Sequence, residues 1–127
     1  MNHQPETSNF ESIVRKSFAK QSMMMHLGAE IYNVSPSSVE IRLPHRYERL
    51  QQHGLFHGGA TTAILDTTGG YAAYSLFKPD EETLTVEYKV NFLAPVLGDQ
   101  LVARAQVVKL GKNLSVTRGE AYAIKDG

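Results

Sequence analysis

The strongest constraint on this chain lies in its middle. From Ala60 to Phe77 nearly every position is apolar or small, and the run stops only at Lys78-Pro79. A helix that is apolar on all sides must lie inside something. The rest of the chain therefore has to cover it, and most of that remainder reads as strand. From His26 to Val34, Leu27, Ala29 and Ile31 alternate with Gly28, Glu30 and Tyr32; after the turn composition Ser35-Pro36-Ser37-Ser38, Val39, Ile41 and Leu43 alternate with Glu40 and Arg42 up to Pro44. This predicts a first hairpin. Leu84, Val86, Tyr88, Val90 and Phe92 then share one face of a long strand, opposite Thr85, Glu87, Lys89 and Asn91. Pro95 to Asp99 turns the chain, Gln100 to Leu110 alternates again, Gly111-Lys112-Asn113 turns, and Leu114 to Ile124 is a further strand. Before all of these, Phe10, Ile13, Val14 and Phe18 give helical spacing over Phe10 to Gln21. The order is helix, two strands, buried helix, then at least three strands. That is an α+β fold in which an antiparallel β-sheet covers one central α-helix. Gly69 and Gly70 inside the central helix each cost about 1 kcal/mol relative to alanine and predict close packing against another backbone.

Composition narrows the chemistry. The 127 residues suit one domain, 1–127, able to bury roughly two-thirds of its unfolded surface without disulfides or metal. Residues 1–8 are polar and expected to fray. The absence of cysteine removes disulfide scaffolds, thiol nucleophiles, Fe–S clusters and thiolate zinc sites. Thirteen Lys and Arg balance thirteen Asp and Glu, so no global field gathers nucleic acid or anionic lipid. No apolar run approaches the ~18 residues of a membrane span, and Met1-Asn2-His3-Gln4-Pro5 opens no signal-peptide pattern. The expectation is a soluble, cytoplasmic domain that binds neither nucleic acid nor membrane.

Two features converge at the start of the central helix. The entry Gln51-Gln52-His53-Gly54-Leu55-Phe56-His57-Gly58-Gly59 offers backbone N–H groups at the positive end of the helix dipole, with no side chain blocking approach. Asp66 lies mid-helix in Ala63-Ile64-Leu65-Asp66-Thr67-Thr68, where a carboxylate must be hydrogen-bonded, neutralised or facing a pocket. Together these are parts for carbonyl chemistry: donors for a developing oxyanion and a carboxylate to attack or to activate water. Along one helix, however, Gly58 and Asp66 stand about 12 Å apart, so no single carbonyl group reaches both. A shared reaction requires Asp66 to meet Gly58 of another copy of the chain. Blander readings stay open: a plain glycine turn, an Asp66 bridged to Thr62 or Thr67, and a buried His57 that only orients the loop. His53 and His57 have the spacing of a metal pair but no accompanying carboxylate, so no metal is expected. Neither GxSxG, GxGxxG nor GxxxxGK[ST] is present, which leaves no serine elbow and no nucleotide cofactor.

The string His57-Gly58-Gly59-Ala60-Thr61-Thr62-Ala63-Ile64-Leu65-Asp66 resembles the signature of hotdog-fold acyl-CoA thioesterases of the phenylacetic-acid-degradation (PaaI-like) type. Val86-Glu87-Tyr88-Lys89-Val90-Asn91-Phe92-Leu93-Ala94-Pro95, the Gly98-Asp99 turn and the Lys109-Leu110-Gly111-Lys112 hairpin are similar to that family's later elements. The resemblance implies a hotdog fold, an acyl-CoA substrate, no cofactor, and a homo-oligomer that is a dimer or a dimer of dimers (a homotetramer). It implies that the Gly58 N–H, with Gly59 beside it, holds the thioester, and that Asp66 of a partner chain is nucleophile or general base. His57 would support the loop and lie near the thioester, Gln51 would position water or the thioester, and Thr85 would assist the water. Arg104, Lys109 and Lys112 would be candidates to bind CoA, though each reads equally well as a solvated surface charge.

The chain departs from the family pattern twice. Gly70 stands where some members carry a hydroxyl residue, and the sequence ends at Asp126-Gly127, a hairpin turn after which a final strand is expected but does not follow. Thioester hydrolysis leads; a non-catalytic acyl-CoA-binding domain is the alternative. A hydratase is disfavoured because no histidine follows His57. Phe56, Tyr71, Tyr74 and Phe77 suit either an aromatic acyl pocket or the core.

Overall fold

The computed structural model describes residues 4–125. Helix α1 (Phe10–Phe18) is followed by the short α2 (Ser22–Leu27), then by strands β1 (Glu30–Ser35) and β2 (Ser38–Pro44) and a 3-10 turn at Tyr47–Arg49. The long helix α3 (Gly58–Tyr74) comes next, then β3 (Gln100–Lys109) and β4 (Val116–Ile124). The four strands form one antiparallel sheet in the order β1-β2-β3-β4.

Alternation fixes which face of the sheet meets the helix. Ile41 sits between Ile31 and Ala103, and Leu43 opposite Leu101. Ile41, Leu43, Leu101 and Ala103 are all fully buried, in one cluster with Ile64 and Tyr71 of α3. The helix is thus enclosed as its composition requires, and the fold is the expected α+β arrangement of an antiparallel sheet around a central helix. Gly69 packs on β4, where an added Cβ would come within 2.8 Å of the Thr117 hydroxyl. Gly70 has open space beside it within the chain.

Helix α1 packs on α3 through Phe18, and Val14 is buried in the same core cluster. Buried Tyr71 joins the two helices: its hydroxyl accepts from Gln21 Nε2 at 2.9 Å and lies 3.0 Å from the Ser17 hydroxyl. Phe18 and Tyr74 meet the Tyr71 ring edge-on, and Phe77 meets Tyr74. Tyr71, Tyr74 and Phe77 therefore belong to the core rather than to an acyl pocket.

Three sequence expectations are corrected. Residues 22–27 are helical, with Met24 buried, so the first strand begins at Glu30 rather than His26. The chain leaves this helix through Gly28 at φ +72°, where a Cβ would overlap the Arg49 guanidinium; only glycine meets both conditions. Helix α1 stops at Phe18, because Ala19 and Lys20 turn the chain back on Arg15 and Ser17. The segment 84–92 forms no strand and pairs with none among the described residues, and its apolar side chains are exposed: Leu84 91%, Val86 80% and Tyr88 58%. The expected fraying of Met1-Asn2-His3 and the turn at Asp126-Gly127 lie outside the described residues.

On the outer sheet face Glu40 is buried between two arginines, Arg42 Nε at 2.7 Å and Arg104 Nε at 2.6 Å. Arg42 lies over the Tyr32 ring and Arg104 over Tyr122. Burial pushes the Glu40 carboxyl up, but hydrogen bonds from Arg104 and Arg42 outweigh it and hold the group below its ordinary 4.5. A carboxylate with a depressed folded pKa contributes stability above its unfolded pKa and loses it as pH falls through the folded value. The wild-type melting temperature should therefore fall below about pH 4.5. Glu40→Gln should flatten that acid limb; parallel limbs in the two proteins would refute the assignment. Tyr71→Phe removes the hydroxyl that joins α1 to α3 and should cost roughly 1–2 kcal/mol, about 3–6 °C in melting temperature. An unchanged melting temperature would show that Ser17 and Gln21 do not depend on it.

Candidate active site

The segment before α3 is built to aim the helix start. Residues 51–55 form a tight loop: the Gln51 N–H donates to the Leu55 carbonyl at 2.8 Å and the Gly54 N–H to the Gln51 carbonyl at 3.1 Å, with Gly54 at φ +80°. The Gln51 side-chain oxygen accepts from the His53 and Leu55 amides. The Phe56 N–H donates to Val96 and the His57 N–H to Arg49, both across to neighbouring backbone. Underneath, the Arg49 guanidinium is buried and donates to the Pro44 carbonyl. Burial lowers its pKa from the ordinary arginine value.

His57 caps the helix. Its Nδ1 accepts the Gly59 N–H at 2.7 Å, which places the proton of the neutral ring on Nε2. Its ring is exposed rather than buried. Gly59 gives its N–H to this cap, and a Cβ on Gly59 would press on the imidazole at 2.9 Å. Among the described residues the Gly58 N–H has no hydrogen-bond partner, so it is the donor left at the positive end of the helix.

A cavity of about 400 Å³ opens at this helix start, lined by Gln51, Leu55, Phe56, Gly58, Thr61 and residues 92–96. Phe56 is the one member of the aromatic set that reaches it. The Phe92 ring lies 3.3 Å from where a Gly58 Cβ would stand, so a side chain there would crowd the wall. Thr61 and residues 92–96 were not singled out by sequence reasoning. The signal for the latter was the Phe92-Leu93-Ala94-Pro95 break in strand alternation, while Thr61 was hidden in an otherwise featureless helix run.

Asp66 lies two turns further along the same unbroken helix, half-buried rather than buried. Its partner is neither Thr62 nor Thr67: the Thr85 hydroxyl donates to Asp66 Oδ1 at 2.6 Å. The structure thus brings Asp66 and Thr85 together, and separately Gly58, Gln51 and the cavity. Within one chain it does not join the two groups, which the helix holds about 12 Å apart.

The cationic candidates lie elsewhere. Arg104 is on the outer sheet face, paired with Glu40. Lys109 and Lys112 are exposed at the β3–β4 end of the sheet. That end adjoins the last turn of α3, because Ser75 accepts from the Ser37 N–H and Val107 donates to the Ser37 carbonyl. All three are therefore remote from Gly58 of their own chain. Among the described residues no three His, Asp or Glu side chains converge as a metal site, and no helix is long and apolar enough to cross a membrane.

Comparison with known proteins matches this architecture. The chain is similar to a thioesterase family protein from Silicibacter pomeroyi, at 45% identity and a TM-score of 0.90, covering 93% of this chain and 87% of that one. It is similar to a thioesterase from Haemophilus influenzae at 26% identity and a TM-score of 0.79, covering 91% and 80% of the two chains. The E. coli PaaI protein from the phenylacetic acid degradation operon shares the fold, at 22% identity and a TM-score of 0.72, covering 91% and 93%. A family model described as thioesterase superfamily matches residues 53–127, a stretch that takes in the helix start, Asp66 and Thr85. On that match, which spans more than half of the sequence, the chain belongs to the thioesterase superfamily.

Proposed function

We propose that this protein hydrolyses acyl-CoA thioesters to a free acid and CoA, at a site completed by a second copy of the chain. One observation carries the reading: an unpartnered Gly58 N–H at the mouth of a cavity, on the same helix as an Asp66 carboxylate fixed by Thr85. The thioester carbonyl oxygen accepts from the Gly58 N–H, whose position at the helix N-terminus favours the negative charge that develops there. Asp66 of the other copy acts on the opposite side, as base toward a water or as nucleophile toward the carbonyl carbon. The Thr85 hydroxyl occupies Oδ1 and so leaves Oδ2 for that step. Gln51 lines the cavity, with its amide nitrogen free to hold the carbonyl or the water. With Asp66 as base, the tetrahedral intermediate collapses by breaking the C–S bond to give the free acid, and the thiolate takes up the proton that Asp66 removed from the water. With Asp66 as nucleophile, the same collapse leaves an acyl-Asp66 anhydride, which water then hydrolyses to the free acid and the restored carboxylate.

The exposed stripe Leu84, Val86, Tyr88 and Phe92 supports the second copy. It lies beside Thr85, on the flank of α3 that carries Asp66, and a monomer would leave it in water. Two copies meeting there with antiparallel helices bring Asp66 of each toward Gly58 of the other. The same association carries the lysine-bearing end of one chain toward the helix start of its partner, so Lys109 and Lys112 would reach CoA phosphates of the partner's site. Such dimers are the unit of the proposed assembly, alone or as dimers of dimers. The proofreading thioesterase EntH of Klebsiella pneumoniae is 23% identical over 94 residues, 74% of this chain and 69% of that protein, in keeping with thioester chemistry on this scaffold.

Asp66→Asn keeps the shape and the acceptor for Thr85 while removing the base. It should lower kcat for thiol release from phenylacetyl-CoA about 10²- to 10⁴-fold with the melting temperature unchanged. Turnover within a few fold of wild type would remove Asp66 from the mechanism. Binding of acyl-CoA by the wild type, with no thiol released, would mark the chain as a carrier rather than a hydrolase.

A further inference from the structure

Helix α3 holds four glycines, and neighbours within the chain explain three of them. A Cβ on Gly58 would crowd the Phe92 ring, one on Gly59 the His57 ring, and one on Gly69 the Thr117 hydroxyl. Gly70 differs. It lies in the helix interior, half-buried, and an added Cβ would meet nothing within 4 Å. A glycine there weakens the helix relative to alanine, and no contact within the chain requires it. The reason for it therefore lies outside the chain. Gly70 stands four positions past Asp66, on the same face of the helix and about 6 Å further along. The cavity at the helix start is also unfinished. Its lining includes Leu55, Phe56, Phe92 and Leu93, yet Phe92 is 61% and Leu93 93% exposed.

We propose that Gly70 determines acyl size: its bare helix surface walls the cavity of the partner copy and leaves room there for an acyl group that carries a ring or branch beyond its carbonyl. The inference rests on the two-copy thioesterase reading and deepens it. When antiparallel helices set Asp66 of one copy opposite Gly58 of the other, Gly70 falls about 6 Å beyond that Gly58, one turn outside the partner's helix. Helix α3 begins at Gly58, so no partner helix backbone stands there to pack on Gly70. What lies before the first turn is the cavity, and its acyl group is the occupant that the glycine admits. Reach agrees with this. From a carbonyl carbon beside Asp66, bonds of about 1.5 Å cover the 6 Å to Gly70 in four or five atoms. An acetyl group ends short of it, whereas the ring of a phenylacetyl group arrives beside it. A side chain at position 70 therefore excludes the ring far more than the methyl, on the scale by which carbon atoms in apolar pockets set substrate preference.

The test measures thiol release from phenylacetyl-CoA and acetyl-CoA by wild type, Gly70→Ala and Gly70→Val. Wild type should hydrolyse phenylacetyl-CoA. Both variants should lose more kcat/KM on phenylacetyl-CoA than on acetyl-CoA, with Gly70→Val shifting the ratio at least about tenfold. Gly70→Ala should also melt a few degrees higher, since alanine is the better helix residue and meets no clash. Refolded mixtures locate the effect. Gly58→Pro lacks the oxyanion N–H and Asp66→Asn lacks the base, so their mixed dimers hold one intact site. Valine at 70 on the Gly58→Pro chain, which supplies Asp66 to that site, should impose the same size selection; valine on the Asp66→Asn chain should not. Equal loss on both substrates, no loss on either, or the reverse pattern in the mixtures overturns the inference while the hydrolase reading stands. So does a wild type that accepts acetyl-CoA but not phenylacetyl-CoA. A Gly70→Ala that melts lower or loses the dimer assigns the glycine to partner packing and overturns it as well. Inactive mixtures overturn the two-copy reading with it, and no thiol from either substrate overturns the hydrolase reading and this inference together.

Discussion

Helix α3 has no polar face, and enclosing it organises everything else in the molecule. The sheet presents Ile41, Leu43, Leu101 and Ala103 to one side of it, and α1 closes another through Phe18 and the Tyr71 hydroxyl bonds. Because the helix is held from several directions, it is straight enough and fixed enough to act as a ruler. Gly58 is set at one end and Asp66 two turns along, and neither position can drift toward the other without undoing the core. The about 12 Å between them is consequently a property of the fold, and the proposed two-copy site rests on it.

The site uses departures from ordinary packing. Glycine at 58 leaves the first N–H of the helix unobstructed, and the next glycine surrenders its N–H to the His57 cap, which fixes the orientation of that first turn. Thr85 comes from a segment that makes no ladder bonds, yet it supplies the hydroxyl that fixes Asp66. Leu84 and Val86 of this same segment are among the most exposed apolar side chains of the described residues. Surface left open by the core and surface that the proposed chemistry needs therefore coincide along one flank of α3.

Much of this was legible from residue order. The all-round apolar run demanded a central helix, the alternation of Val39, Ile41 and Leu43 gave the inner sheet face, and the glycine entry with a mid-helix carboxylate marked both halves of the proposed site. Other features escaped because they depend on contacts distant in sequence. Residues 22–27 carry three methionines that fit a strand edge or a helix equally well, and Met24 docking in the core decides for helix. Leu84 to Phe92 alternates like a strand, but alternation specifies a pleat and not a neighbour. Asp66 has threonines at both sides in sequence, and its partner is nineteen residues away. Arg104 reads as a free surface cation until its pairing with Glu40 is seen. Thr61 is one of four threonines in the helix, and only the cavity sets it apart.

The claim that one helix contributes to two different sites is tested most directly by mixing subunits. Gly58→Pro removes the oxyanion N–H at a first helical position, where proline is tolerated, and His57 already has the extended backbone that precedes proline. Gly58→Pro and Asp66→Asn should each be inactive alone. After the two are unfolded together in equal amounts and refolded, half of the dimers should be mixed, each with one intact site, restoring about one quarter of wild-type thiol release. Refolded mixtures that dimerise yet stay as inactive as their parents would place Gly58 and Asp66 of one chain in the same site and contradict the account.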